Sequence, residues 1–355
     1  MNRILLFDDV EENRTSISEA LSAELKGDAI IEPFVGDSVP DKDQTYERSI
    51  ENQLSKLSGI SLIACDKELG LYDNYRGLSA NAVSVVARNL GIPFCQYSRN
   101  VDGSAREIQR FRRLRSWDSE EITLEGEEVG AWAVEIAWLF RGFNRIAVAY
   151  AQKAEISKLK PSDALAQIMG RPDYATRISL YGAGDQSVLT EIFAFLDDSD
   201  SSGPTLQHRM PRVLGTWLLL SILRFPGLLV NTVAAASLLN IAVSDFDSAK
   251  DEFESARYTG PFEDLGEWWW REELEILLAD AGFSDGVAYM RDRGVEVGSC
   301  LDPSTNERAG CYCMITKQPV SRTNSTGDIN WFPSGADLSR IQNDKYEEIT
   351  SLVNV

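Results

Sequence analysis

Three aspartates follow two hydrophobic runs in the first part of the chain. Asp8 and Asp9 come directly after the apolar residues 4–7, and Asp66 comes directly after the apolar residues 60–65. If both runs are neighbouring parallel strands, the carboxylates meet at the sheet edge where open α/β sheets place their sites. Such a group repels itself unless it binds a cation or retains a proton. The pattern predicts a divalent-cation site, and carboxylates that only cap helices are the alternative.

The elements that would position these carboxylates alternate through residues 1–126. Extended stretches are predicted at residues 4–7, 29–34, 60–65, 92–97 and 122–124, and helices at residues 12–25, 46–57, 79–90 and 103–114. Repeated β-α units predict a parallel sheet covered by helices on both faces. The expected fold class of this part is therefore α/β, with a doubly wound five-stranded parallel sheet.

The acidic pair after strand one and the aspartate after strand three resemble the receiver domain of two-component response regulators. The resemblance covers residues 1–126 and implies a flavodoxin-like fold. It implies that Asp8, Asp9 and Asp66 bind Mg²⁺ and that Asp66 is the phospho-acceptor. It also implies that the hydroxyl of Ser98, after strand four, contacts the phosphoryl group. A carboxylate that attacks a phosphoryl group needs a cation to screen the repulsion between negative charges.

One part of the family pattern is missing. The fifth strand ends Leu124-Glu125-Gly126, without the Lys that receivers have there. A phosphoryl group would then lose a charge-assisted contact of about 1.5–3 kcal/mol. Two versions stay open: a receiver phosphorylated at Asp66, and a degenerate receiver that binds partners without phosphorylation. The resemblance implies a protein partner, a histidine kinase or a sensor ATPase, and it admits a homodimer.

A local basic patch lies in the predicted fourth helix. In receivers this helix belongs to the face that carries dimerisation or output, so we predict a docking surface for an acidic partner. A solvated face that offsets the surplus acid is the alternative. The patch consists of Arg106, Arg110, Arg112, Arg113 and Arg115.

Composition limits the classes of partner. The chain has 355 residues, a formal net charge of −20 and 43% hydrophobic residues, which is enough to build cores. The charge argues against broad binding to nucleic acid or anionic membranes. The most apolar segment, residues 217–243, is interrupted by Arg224 and Pro226 and predicts two buried helices rather than a membrane span. Five cysteines without an export signal predict reduced thiols in the cytoplasm.

The rest of the chain changes character after residue 126. We predict a helical connector at residues 127–197, a linker at 198–205, a mostly α-helical domain at 206–294 and an irregular, Cys-containing segment with short strands at 295–355. Residues 231–241 have the small side chains of a first helix in a helix-turn-helix. The following helix, residues 244–254, is acidic, which disfavours DNA binding there. Three consecutive tryptophans, 268–270, predict core packing, with an interface hot spot as the alternative.

Three cysteines lie close together near the C-terminus. Cys300, Cys311 and Cys313 could hold zinc with a fourth ligand such as Asp302, and free buried thiols are the alternative. Motifs of hydrolases and nucleotide-binding proteins are absent from the sequence.

The function expected from these features is that of a bacterial-type signalling or adaptor protein. Its receiver-like domain would control protein–protein contacts made by a helical output region, and by analogy it resembles parts of bacterial conflict systems. Two alternatives stay open. One is a transcription regulator, and the other is a metal-dependent enzyme with a site between the Asp cluster and the C-terminal segment.

Overall fold

The computed structural model describes residues 2–36, 45–69, 75, 77–99, 122–126, 129–152, 155–182 and 206–353. The described residues form two compact units. The first unit draws on Met1–Val101, Ser119–Lys158 and Glu191–Thr216, and the second on Asp102–Asp118, Leu159–Thr190 and Trp217–Val355. The predicted helix at 103–114 with its arginines, and the predicted linker at 198–205, lie outside the described residues.

The first unit alternates strands and helices. Its elements are β1 (Asn2–Phe7), α1 (Glu11–Leu25), β2 (Ala29–Pro33), α2 (Tyr46–Leu54), β3 (Ile60–Asp66), α3 (Ala80–Leu90), β4 (Phe94–Arg99), β5 (Ile122–Gly126) and α4 (Val129–Gln152). The strands are parallel, in the order β2-β1-β3-β4, and β5 runs beside β4. The α/β class predicted for this part of the chain is confirmed.

Both faces of this sheet are covered, which explains why its strands read as continuous apolar runs. Side chains alternate along β1, so Leu5 and Phe7 point to one face and Ile4 and Leu6 to the other, and all four are buried. The first face packs with residues of α2 and α3 in a single apolar cluster. On the other face α1 and α4 contact each other, and α4 contacts β3 and β5.

Helix α4 belongs to the first unit, whereas the sequence pattern predicts a helical connector at residues 127–197. Its buried positions include Trp132, Ile136, Leu139 and Phe143, spaced three or four residues apart. This spacing places them on one stripe of the helix. The stripe closes the sheet face that α1 covers only in part, so the α/β unit extends beyond residue 126.

The second unit is helical at first and then rich in short strands. Its elements are α5 (Pro161–Ile168), α6 (Ala175–Ser179), β6 (Leu229–Asn231), α8 (Thr232–Leu239), α9 (Val243–Ala249), β7 (Trp268–Trp270), α10 (Arg271–Asp280), α11 (Gly286–Asp292), β8 (Cys311–Cys313), β9 (Pro319–Val320), β10 (Ser325–Thr326), β11 (Ser339–Gln342) and α12 (Asn343–Val353). Helix α7 (Leu206–Trp217) lies almost wholly in the first unit. The strand order in the C-terminal sheet is β10-β11-β8-β9, as a segment of short strands predicts.

The apolar segment at residues 217–243 is not two helices that meet at Pro226. A π-helical turn, Leu218–Ile222, follows α7, and the chain then enters β6 before α8 begins. Proline lacks the N–H that a helix interior needs, so the helical stretch ends before Pro226, and β6 begins three residues after it. Strand β6 pairs antiparallel with β7, which contains the three tryptophans. Trp269 and Trp270 are buried, as the core-packing interpretation predicts.

A buried carboxylate organises the loops of the C-terminal sheet. Asp302 accepts hydrogen bonds from the backbone N–H of Ser304 and of Ser321, both at 2.9 Å. It also accepts one from the side-chain amide of Asn324 at 3.1 Å. Burial alone would raise the pKa of Asp302, but these hydrogen bonds prevail and lower it. The ionised carboxylate therefore joins two loops that are nearly twenty residues apart in sequence.

Candidate functional site

The three aspartates come together at the carboxyl ends of β1 and β3. The two strands pair in parallel with Phe7 opposite Cys65, so the residues that follow them reach the same sheet edge. One carboxylate oxygen from each of Asp8, Asp9 and Asp66 lies within 4.8 Å of the others. Asp8 is buried, while Asp9 and Asp66 are partly exposed. The structure thus brings together the predicted metal ligands and leaves one side of the group open to solvent.

Asp8 is the fixed member of the group. Its Oδ1 accepts a hydrogen bond from the backbone N–H of Val10 at 2.8 Å, and its Oδ2 accepts one from the Tyr97 hydroxyl at 2.9 Å. The Arg14 guanidinium donates to the Asp8 carbonyl oxygen at 3.0 Å. Burial raises the pKa of Asp8, and the charge of Asp9 adds to this effect, against the two hydrogen bonds that lower it.

Asp66 is more accessible than Asp8, and its pKa is strongly raised. Burial, together with the charges of Asp8 and Asp9, raises the pKa of Asp66 to about 6, although a backbone hydrogen bond from Glu68 at 3.1 Å opposes the shift. A carboxylate in this state gains from any nearby positive charge. Hard divalent cations such as Mg²⁺ prefer oxygen ligands of this kind, so the three carboxylates fit Mg²⁺ by their donor chemistry.

The hydroxyl that reaches the carboxylates is that of Tyr97, not that of Ser98. Tyr97 lies directly opposite Asp66 in the parallel register of β3 and β4, so both side chains point to the same face of the sheet. Ser98 is the next residue and faces the other way, because strand side chains alternate. Burial, with the charge of Asp8 beside it, raises the pKa of Tyr97, which keeps the phenol protonated as a donor. The register, which the sequence does not fix to one residue, decides between the two hydroxyls.

The residue opposite Tyr97 on the next strand is apolar. Leu124 of β5 pairs with Tyr97 and is buried. It therefore points to the same sheet face as Asp66, where a receiver lysine would be expected to approach. Among the described residues, the cation that acts on Asp8 is Arg14, which comes from α1 rather than from β5.

The other predicted site residues do not join this group. Arg106, Arg110, Arg112, Arg113 and Arg115 lie outside the described residues. The cysteines are all buried and free of disulfides. Cys300, Cys311 and Cys313 do not converge into a metal-ligand cluster in the described part of the chain. Cys313 Sγ instead accepts from the backbone N–H of Gln342 at 3.4 Å, and Cys300 Sγ lies 3.7 Å from the Ser237 hydroxyl.

The predicted helix-turn-helix segment consists of packed helices. Helices α8 and α9 contact each other, and α8 also contacts β6, β7 and β8. Ala234, Ala235 and Ala236 are buried, so these small side chains allow the close packing. Helix α9 carries the acidic residues Asp245 and Asp247, which would repel phosphates.

Comparisons with known proteins identify no similar family, protein or structure. In the described ranges, no helix combines the length and the apolar character that crossing a bilayer requires. The function must therefore be inferred from the residues themselves.

Proposed function

We propose that the first unit is a receiver-like signalling module that binds Mg²⁺ through Asp8, Asp9 and Asp66 and controls contacts with a protein partner. The observation that supports this most strongly is the meeting of three carboxylates, within 4.8 Å, at the carboxyl ends of two parallel strands. The strand order β2-β1-β3-β4, with β5 beside β4, supports a five-stranded flavodoxin-like sheet. The remaining helical part would be the output, as the sequence predicts.

The carboxylates have separate roles in this proposal. Asp8 already accepts two hydrogen bonds, so it is held in place as a metal ligand. Asp66 is partly exposed and accepts one backbone hydrogen bond, which leaves its second oxygen available for reaction. Bound Mg²⁺ would screen the repulsion among the carboxylates and an incoming phosphoryl group.

Phosphorylation is the step that separates the two versions of the module. With acetyl phosphate as donor, an Asp66 oxygen would form a bond to phosphorus while the bond from phosphorus to the acetate oxygen breaks and acetate takes the electron pair. The buried Leu124 lies opposite Tyr97, where a lysine could have stabilised the product. A degenerate module would bind Mg²⁺ and its partner but would not retain the phosphoryl group.

Metal binding is tested first, because both versions require it. Isothermal titration of the full chain with MgCl₂ should give saturable binding, which Asp66→Asn and Asp9→Asn weaken at least about tenfold. Asp28→Asn is the matched control, since Asp28 is exposed at the start of β2, away from the group. Mg²⁺ binding that is absent, or that is unchanged in both site variants, would exclude a receiver-like module.

Intact mass after incubation with acetyl phosphate and Mg²⁺ then distinguishes the versions. A gain of one phosphoryl group in the native chain, lost in Asp66→Asn, identifies a phospho-accepting module. Mg²⁺ binding without a gain in mass identifies the degenerate version. A gain that persists in Asp66→Asn would show that the acceptor lies elsewhere and would contradict the role given to Asp66.

A further inference from the structure

The first unit contains a cavity at the opposite end of its sheet from the aspartates. The cavity has a volume of about 480 Å³, within the range of small-molecule sites. Its walls include Asn2 at the start of β1, Ser61 in β3, and parts of α4 and α7. The length of β1 separates it from Asp8 by about 20 Å, at about 3.3 Å per residue.

The cavity wall contains a guanidinium. Arg212 is the charged residue among those that line it, and no carboxylate is among them in the described part of the chain. The side chain of Arg212 is well buried, because the residue is only 5% exposed. A guanidinium presents five N–H donors in a planar fork that matches carboxylate and phosphate oxygens. Arg212 can therefore give an anion charge-assisted hydrogen bonds.

A hydrogen-bond chain gives the wall an additional donor. The Ser61 hydroxyl donates to Asn2 Oδ1 at 3.1 Å, and Asn2 Nδ2 donates to Asn144 Oδ1 at 3.3 Å. Asn144 therefore uses its side-chain oxygen as an acceptor for Asn2, and its NH₂ group can donate to a ligand. Tyr150 adds a neutral phenol, because burial raises its pKa. The guanidinium and the amide donor thus both favour an anionic ligand.

The cavity wall also contains apolar residues, which limit the ligand further. Ile60, Phe143, Ala147 and Pro211 line the cavity beside the polar groups. An inorganic ion alone would leave these surfaces without a partner. A ligand with an anionic head and an apolar body would cover both parts of the wall.

We infer that this cavity binds a small organic anion, a carboxylate or a phosphate monoester, whose charged group contacts Arg212 and Asn144 and whose apolar body contacts Phe143 and Pro211. The site uses none of the three aspartates and does not depend on the function proposed for them. Its place at the amino ends of β1 and β3 makes it a second site on the same unit.

The test is isothermal titration of the full chain with benzoate, phenyl phosphate and the neutral analogue benzamide. We expect one or both anions to bind and benzamide to bind at least about tenfold more weakly. Preference between benzoate and phenyl phosphate would identify the headgroup. Arg212→Met should weaken anion binding at least about tenfold, whereas Arg145→Met, an exposed arginine on the same helix as Asn144, should leave it unchanged.

Two further variants keep the test decisive if Arg212→Met does not fold. Asn144→Asp retains an oxygen acceptor for Asn2 but adds a negative charge, so it should abolish anion binding. Ala147→Phe should fill the cavity and block every probe while leaving Arg212 in place. The inference is overturned if neither anion binds up to about 10 mM, if benzamide binds equally well, or if Asn144→Asp and Ala147→Phe bind the anions normally.

Discussion

Replacing Asp66 by Asn should stabilise the first unit, although Asp66 is central to the proposed site. The folded protein holds this carboxyl at a pKa of about 6, against an ordinary value of 3.8. Folding therefore favours the protonated form, and the ionised form opposes folding at neutral pH. Asparagine resembles the protonated carboxyl in shape and keeps an oxygen that can accept the Glu68 hydrogen bond.

The magnitude follows from the two pKa values. Their difference corresponds to about 3 kcal/mol, since one pKa step is about 1.4 kcal/mol. Asp66 is partly exposed, so water screens part of its repulsion with Asp8 and Asp9, and we expect a gain of about 1–2 kcal/mol at pH 7.5. Because the folded pKa is raised, the native chain gains stability as the pH falls from above 6 towards 3.8. The advantage of Asp66→Asn should shrink over the same interval.

Urea unfolding at pH 7.5, 6 and 4.5 measures this difference, with Asp28→Asn as the control for the loss of a carboxylate on the surface. MgCl₂ at pH 7.5 should stabilise the native chain more than Asp66→Asn, because the cation relieves the same repulsion. The reasoning fails if Asp66→Asn is less stable than the native chain at pH 7.5, or if its advantage does not depend on pH.

Three further changes test individual contacts by thermal or urea unfolding. Tyr97→Phe removes the donor to Asp8 and should destabilise the chain by about 1.5–3 kcal/mol at pH 7, and by less at acidic pH, where Asp8 is protonated; an equal loss at both would contradict this. Asp302→Ala leaves three donors without their acceptor and should cost about 3 kcal/mol or more at neutral pH. Since the folded pKa of Asp302 is lowered, the stability that its ionised carboxylate contributes should be lost as the pH falls below 3.8. Gly227→Ala would force a methyl group into facing backbone and tyrosine atoms and should cost about 1–3 kcal/mol, whereas Gly130→Ala, in open space, should not destabilise the chain.

The strands and helices of residues 2–99 could be predicted because their local signals are strong. Helix α3 is an example: the Ser79 side chain accepts from the backbone N–H of Ala82 at 3.2 Å, and Gly91 ends the helix with a φ of 70°. Both are standard capping residues. The limit of the α/β unit could not be predicted in the same way, because the stripe on α4 is apolar whether it covers a sheet or another helix.

The sequence predicts the carboxylates of the site correctly, but it does not predict the hydroxyl that contacts them. Asp8, Asp9 and Asp66 are marked by the ends of two apolar runs, and chain direction alone brings those ends together. Tyr97 and Ser98 are adjacent, and only the pairing register of β3 with β4 determines which one shares a face with Asp66. A shift of one residue exchanges the two faces of a strand, so no local signal could have separated them.

Comparison with Asp302 shows why the raised pKa of Asp66 is informative about function. Asp302 is only 1% exposed, yet its pKa is lowered, because three donors stabilise its charge. The described contacts of Asp66 give its carboxylate one backbone donor, with two further carboxylates beside it. Burial acts to raise the pKa of both carboxyls, and at Asp302 the donors outweigh it. The Mg²⁺ proposed above would supply the positive charge that offsets the repulsion among these three carboxylates.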